Sequence, residues 1–287
     1  MGKLACYVQL MRPINSLIMG FAVIVGAVIA NSTVFNNYWP NLFYGFLTSF
    51  LLTAASMALN DYYDREIDAI NEPSRPIPSG RIKPKEALAF ASILTILGLA
   101  AAILTSATST YSCFATALIF WIVSASYVTL GKQTGLLGNF LVSACVSAPF
   151  VYGSLAVADM IKWNVWIFVL MVFLSNTGRE ITKGIVDVQG DKARNIKTLA
   201  VLYGERKAAI AAAVFYLLAV TLTPAPPFLN LVSFWFIPLA VITDLGLVAS
   251  SIMLLKDYSR RNAKKVKNMV LCWFLVGLMA FSIGSLS

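Results

Sequence analysis

Apolar residues come in long blocks separated by short polar intervals, near 14–30, 42–60, 86–105, 112–129, 136–157, 163–180, 206–222, 229–255 and 268–285. Crossing the hydrocarbon core takes about 20 apolar residues in a helix, and in lipid each segment must satisfy its own backbone groups. The pattern therefore predicts nine transmembrane helices, an all-α polytopic membrane protein read as a single domain over 1–287. The first block follows Lys3 and Arg12 and so resembles a signal peptide. Eight further spans follow it, and we read it as the first membrane helix.

Composition agrees. The 287 residues are 59% hydrophobic and 12% charged, about half the charged share of a soluble domain. The absence of histidine excludes a His-based triad and the common zinc arrangements. Three of the four cysteines (Cys6, Cys113, Cys145 and Cys272) fall in predicted spans, so they read as small packing residues rather than a disulfide framework.

The net charge of +9 changes the picture through its distribution. Of the 22 Lys and Arg, all but Lys162 fall in the N-terminal segment and in alternate loops, at 61–85, Lys132, 179–207 and 256–267. Such asymmetry is the positive-inside signal. It predicts a multi-pass protein of the cell membrane with its N-terminus in the cytoplasm and its C-terminus outside, and it argues against nucleic acid as the partner.

Two of the charged inner loops carry acidic stripes that continue an apolar span. In the first, Asn60, Asp64 and Asp68 follow at i, i+4 and i+8, with Asp61 beside them. If helix 2 runs on, these residues share one face. In the second, Glu180, Lys183, Asp187 and Asp191 lie at offsets 0, 3, 7 and 11, again one stripe. Like charges at this spacing cost a few tenths of a kcal/mol per pair in water and more near lipid. Concentrated carboxylates of this kind suit a hard cation such as Mg²⁺. For either cluster alone, a solvated loop of mixed charge explains the residues equally well. Two clusters, four spans apart, emerge on the same face and can act together. The spacing is consistent with two four-helix halves, about 10–130 and 136–257, plus a ninth helix at 268–285.

A prenyl diphosphate joins a polyanionic head to an apolar tail. Carboxylates hold such a head only through Mg²⁺, which also stabilises the departing diphosphate, while the allylic cation left behind needs a dry pocket. Arg12, Arg75, Lys132, Lys183, Tyr127 and Asn139 lie in or near the stripes and are candidates for gripping the diphosphate, although topology or interfacial anchoring accounts for such residues equally well.

These motifs resemble those of the UbiA superfamily of intramembrane prenyltransferases over essentially the whole chain. Asn60-Asp61-x-x-Asp64-x-x-x-Asp68, followed by Arg75-Pro76-x-Pro78-Ser79-Gly80, is similar to the first family motif. Glu180, Asp187 and Asp191 follow the second, with Glu180 in place of the commoner aspartate. The resemblance implies nine helices around a central cavity open sideways to lipid. It also implies Mg²⁺–diphosphate sites at Asn60, Asp64, Asp68, Asp187 and Asp191, with Asp61 and Glu180 beside them, and diphosphate contacts at Arg12 and Lys132. Lys183 stands where members with aromatic acceptors carry tyrosine. Arg179-Glu180-Ile181-x-Lys183 and the Pro-rich segment look most like the archaeal branch, whose acceptor is geranylgeranylglyceryl phosphate and whose donor is geranylgeranyl diphosphate. An aromatic acceptor on the path to quinones or chlorophyll is the alternative. A cation transporter is the reading from a different class; it would build on Asp244, which a helix–helix hydrogen bond explains equally well.

Overall fold

A computed structural model describes residues 2–105, 110–129, 131–158, 160–193 and 195–286. Among the described residues every regular element is helical, and nine helices are long and apolar enough to cross a membrane. They are α1 (Pro13–Ala30), α2 (Trp39–Tyr63), α3 (Pro84–Leu104), α4 (Thr110–Thr129), α5 (Leu136–Leu155), α6 (Trp163–Val186), α7 (Glu205–Leu222), α8 (Phe236–Lys256) and α9 (Arg260–Leu286). The chain is a multi-pass membrane protein.

The apolar blocks locate the helices but not all of their ends. The helix α9 begins at Arg260, about two turns before the block at 268–285, because hydropathy marks the part of a helix in lipid rather than its hydrogen-bonded length. Conversely, the block at 229–255 becomes helical only from Phe236. Before it, Asn230 takes a left-handed conformation with φ of 53°, and the Ser233 N–H donates to the Gly284 carbonyl at the far end of α9 at 2.8 Å.

Large side chains point outward and small ones inward. Ile96, Leu245 and Leu104 are more than half exposed, whereas Ala54, Ala58, Ala208 and Ala212 are fully buried. With lipid as apolar as leucine, helices gain from close backbone approach. The helix α1 crosses α5 in this way: a Cβ on Gly26 would stand 2.4 Å from the Phe150 carbonyl oxygen, and one on Gly153 2.0 Å from that of Val23. Neighbouring helices in sequence pack together around the bundle, and α9 returns to contact both α6 and α1.

A short helix, Lys3–Met11, precedes α1. Its Cys6 and Leu10 are buried against Ala58, Ile77 and Ile82, and Lys3 Nζ donates to Glu86 Oε1 at 2.7 Å. Arg12 joins it to α1 in a left-handed conformation with φ of 46°, followed by Pro13 at the first helical position. A non-glycine residue there costs on the order of 1 kcal/mol. The turn it makes aims the Arg12 side chain at the inner end of α2.

Candidate active site at the ends of α2 and α6

The two acidic stripes were expected to lie on uninterrupted helices. Both helices instead break at an aspartate. The helix α2 stops at Tyr63 and Asp64 takes φ −86° and ψ 0°; a short helix, Arg65–Asn71, follows. The helix α6 stops at Val186 and Asp187 takes φ −99° and ψ 7°, before the short helix Val188–Ala193. Aspartate tolerates this bridge conformation and is a poor helix former, so both helices turn at that residue. The stacking survives the break. The Asp64 N–H still donates to the Asn60 carbonyl at 2.9 Å and that of Asp68 to Asp64 at 2.8 Å. The same bonds link Asp187 to Lys183 at 3.0 Å and Asp191 to Asp187 at 2.9 Å.

In the first cluster, Asn60 Nδ2 donates to Asp64 Oδ2 at 2.9 Å. Asp61 and Asp68 are buried and paired with arginine. Arg12 Nη2 meets Asp61 Oδ1 at 2.6 Å, and Arg75 Nη1 reaches Asp68 Oδ2 at 2.6 Å and Asp61 Oδ1 at 3.5 Å. Burial works against the Arg75 charge, but the hydrogen bond to Asp68 and the field of both aspartates outweigh it and raise its pKa. Arg75 itself sits in the non-helical segment between Asn71 and Pro84, as its prolines require. Asp61, Arg12 and Arg75 thus form one ion network that ties the N-terminal turn and the Pro-rich loop to α2.

In the second cluster, Glu180 is buried and takes Arg179 Nη1 at 3.1 Å and Lys183 Nζ at 3.3 Å. Asp187 is exposed. The alignment of α6 rests on buried hydroxyls within the bundle. Thr182 Oγ1 and the Tyr216 hydroxyl of α7 share a hydrogen bond at 3.0 Å. Asn176 Nδ2 and Thr177 Oγ1 both donate to Ser143 Oγ of α5, at 3.1 and 2.9 Å.

Tyr127, near the end of α4, is within electrostatic reach of both clusters, of Asp64 in the first and of Glu180, Lys183 and Asp191 in the second. Both clusters therefore stand at the same end of the bundle. Asn139 opens α5 nearby, its carbonyl accepting from Ser143 Oγ at 2.9 Å. Lys132 belongs to the short 3-10 turn Gly131–Thr134; its side chain lies outside the described residues. Among the described residues no group of three or more acidic, histidine or cysteine side chains is gathered as a cation cage. Asp244, far from the clusters, accepts from Thr223 Oγ1 at 2.9 Å, a hydrogen bond between the end of α7 and α8.

Lys267 of α9 lies within electrostatic reach of Asp187, Arg179 and Lys183, a proximity the sequence does not disclose. Charge alone in a basic loop gave no means of choosing Lys267 from its neighbours. The polar residues within the apolar run of α6 (Asn176, Thr177 and Thr182) were a usable signal.

Residues 19–278 match the UbiA prenyltransferase family. The chain is 36% identical over 283 residues to the digeranylgeranylglyceryl phosphate synthase of Archaeoglobus fulgidus, covering 96% of this chain and 94% of that protein. It is 35% identical over 286 residues to the protein of the same name from Korarchaeum cryptofilum, covering 97% and 96%. A solved structure concerned with digeranylgeranylglyceryl phosphate synthase in membranes superposes with a TM-score of 0.83 at 32% identity, covering 100% of this chain and 99% of that one. A UbiA homolog from Archaeoglobus fulgidus bound to GPP and Mg²⁺ shares the fold, with a TM-score of 0.66 at 17% identity and coverage of 96% and 99%. Paired acidic helix ends, a nine-helix bundle and a family match over most of its length lead to one assignment: the chain is a membrane enzyme of the UbiA prenyltransferase family.

Proposed function

We propose that the chain transfers a geranylgeranyl group from geranylgeranyl diphosphate to the free glycerol hydroxyl of geranylgeranylglyceryl phosphate. The observation that carries this reading is the identity of 36% over nearly the full length with a relative named for the product of that reaction. In the transfer, the bond between the allylic carbon and the diphosphate oxygen breaks, the glycerol oxygen bonds that carbon, and the hydroxyl proton is released.

The donor set suits Mg²⁺. The side chains of Asn60, Asp64, Asp68, Asp187 and Asp191 offer hard oxygen ligands, and the lack of a ready cage fits an ion that is held by one or two carboxylates and completed by substrate phosphates. Those five residues would hold it, with Asp61 and Glu180 as their charged neighbours. When bound, Mg²⁺ would offset the charge growing on the leaving diphosphate. Arg12 and Arg75 hold Asp61 and Asp68 in place through their ion pairs, and their remaining donors, together with Asn139, would serve the diphosphate. The Tyr127 ring, within reach of both clusters, presents a π-face to an allylic cation. The distribution of Lys and Arg supports a cytoplasmic N-terminus and a site at the cytoplasmic face of the cell membrane.

The test is an acceptor screen. Purified protein with labelled geranylgeranyl diphosphate and Mg²⁺ is expected to prenylate geranylgeranylglyceryl phosphate. Product from 4-hydroxybenzoate or a naphthoate, with none from the glyceryl phosphate, would replace this reading with the aromatic one.

A further inference from the structure

Deeper in the membrane than the motif aspartates, positive charge on α6 and α9 exceeds negative. The two helices run antiparallel, and one bond sets their register: Arg260 Nε, in the first turn of α9, donates to the Val186 carbonyl at the end of α6 at 3.1 Å. Seven residues along each helix from that bond, about 10 Å further in, stand Arg179 and Lys267. Lys267 accordingly lies within electrostatic reach of Arg179, Lys183 and Lys264, and of Asp187.

Glu180 is already shared by Arg179 and Lys183, so Lys267 adds a cation to a group whose buried carboxylate is paired twice. Arg179 also keeps its Nε–H buried without a partner among the described residues. Leaving a buried donor unpaired is unfavourable, and an anionic oxygen bound beside it would satisfy it.

Directly outward lies an apolar cavity of about 160 Å³, lined by residues of α1, α5, α6, α7, α8 and α9. It begins at Ser175, one turn from Arg179, and at Trp273 and Phe274, less than two turns from Lys267. Ile18 and Leu275 on its wall are 44% and 52% exposed, so it opens to lipid between α1 and α9. A cationic niche joined to an apolar, lipid-facing cavity matches a prenyl chain ending in a phosphate monoester.

We propose that Arg179, Lys183 and Lys267 bind the phosphate of the acceptor while its prenyl chain enters the adjoining cavity and continues through its opening into lipid. The inference rests on the proposed glyceryl phosphate acceptor. It separates the two anions by depth: the diphosphate sits at the helix breaks, and the acceptor phosphate about two turns inward.

The test uses the full chain in nanodiscs of zwitterionic lipid, with geranylgeranylglyceryl phosphate and its dephosphorylated alcohol as probes. Lys267→Gln is expected to weaken binding of the phosphate about tenfold or more, the scale of one lost charge-assisted contact. Binding of the alcohol and the KM for geranylgeranyl diphosphate should both stay within about twofold, and Lys267→Arg should restore phosphate binding. Arg179→Lys keeps the charge, removes the Nε donor and provides a second variant with the same expected selectivity. Equal losses for phosphate and alcohol, a matching rise in KM for the diphosphate, or displacement of the probe by phosphatidic acid at equal concentration would overturn the proposal. Should the wild-type protein turn over no glyceryl phosphate, the proposed function fails. Phosphate-dependent binding lost in Lys267→Gln would still support the anion site in that case, and phosphate-independent binding would overturn it.

Discussion

The first acidic cluster draws its counter-charges from outside its own helix, from the N-terminal turn and the Pro-rich loop, whereas the second carries them on its own helix. Asp61 is held by Arg12, 49 residues away, and Asp68 by Arg75 across a Pro-rich loop. Glu180 is held by Arg179 beside it and Lys183 one turn on. Both clusters end on a helix break at aspartate, so they present similar groups with different dependence on the fold. The first assembles only when the N-terminal turn, the loop and α2 have packed together. The second exists as soon as α6 forms, and its position depends instead on the hydroxyl contacts of α6 with α5 and α7.

The largest effects should be equal in the two clusters. Asp64→Ala and Asp187→Ala are each expected to lower transfer about a hundredfold or more, the scale of losing one preorganised group that stabilises transition-state charge. Initial rates with matched elution profiles check this; near-normal turnover in either would break the symmetry. Removing divalent metal with a chelator should abolish transfer and re-addition of Mg²⁺ restore it, whereas transfer persisting without metal would remove the role proposed for both stripes.

Stability should then separate them. Arg12→Ala leaves Asp61 buried with only its longer contact to Arg75. Breaking a buried pair costs about 3–5 kcal/mol, which we reduce to about 2 kcal/mol because Arg12 is partly exposed and Arg75 remains. Arg179→Ala leaves Glu180 with Lys183 and should cost about 1 kcal/mol or less. Thermal unfolding in detergent ranks the two, and the reverse order would refute the contrast. Adding Asp61→Asn to Arg12→Ala should recover part of the loss. The smallest effect is expected from Tyr216→Phe, about 0.5 kcal/mol, because Thr182 still donates to the Gly178 carbonyl at 2.8 Å; a loss of kcat with an unchanged melting temperature would show that this hydroxyl aligns α6.

Much of the molecule was readable in one dimension. The nine spans and the acidic stripes followed from local patterns: lipid demands uninterrupted apolar length, and helical spacing puts carboxylates on one face. Individual roles were harder to read. Asp61 belongs to the same motif as Asp64, yet it is locked in a buried ion network, and nothing near it in sequence distinguishes the two. The sequence offers Arg12 and Arg75 as contacts for the diphosphate, but their engagement with Asp61 and Asp68 depends on where the N-terminal turn and the loop are placed.

The sequence by itself determined the solvent, the number of crossings and the side on which charge collects, because each depends on runs of neighbouring residues. The tertiary structure alone decided where the helices break, which cation meets which carboxylate, and that Lys267 of α9 stands level with Arg179 of α6. Those features depend on helix register and on groups far apart in the chain, whose approach is set by how glycine and alanine surfaces let the helices pack.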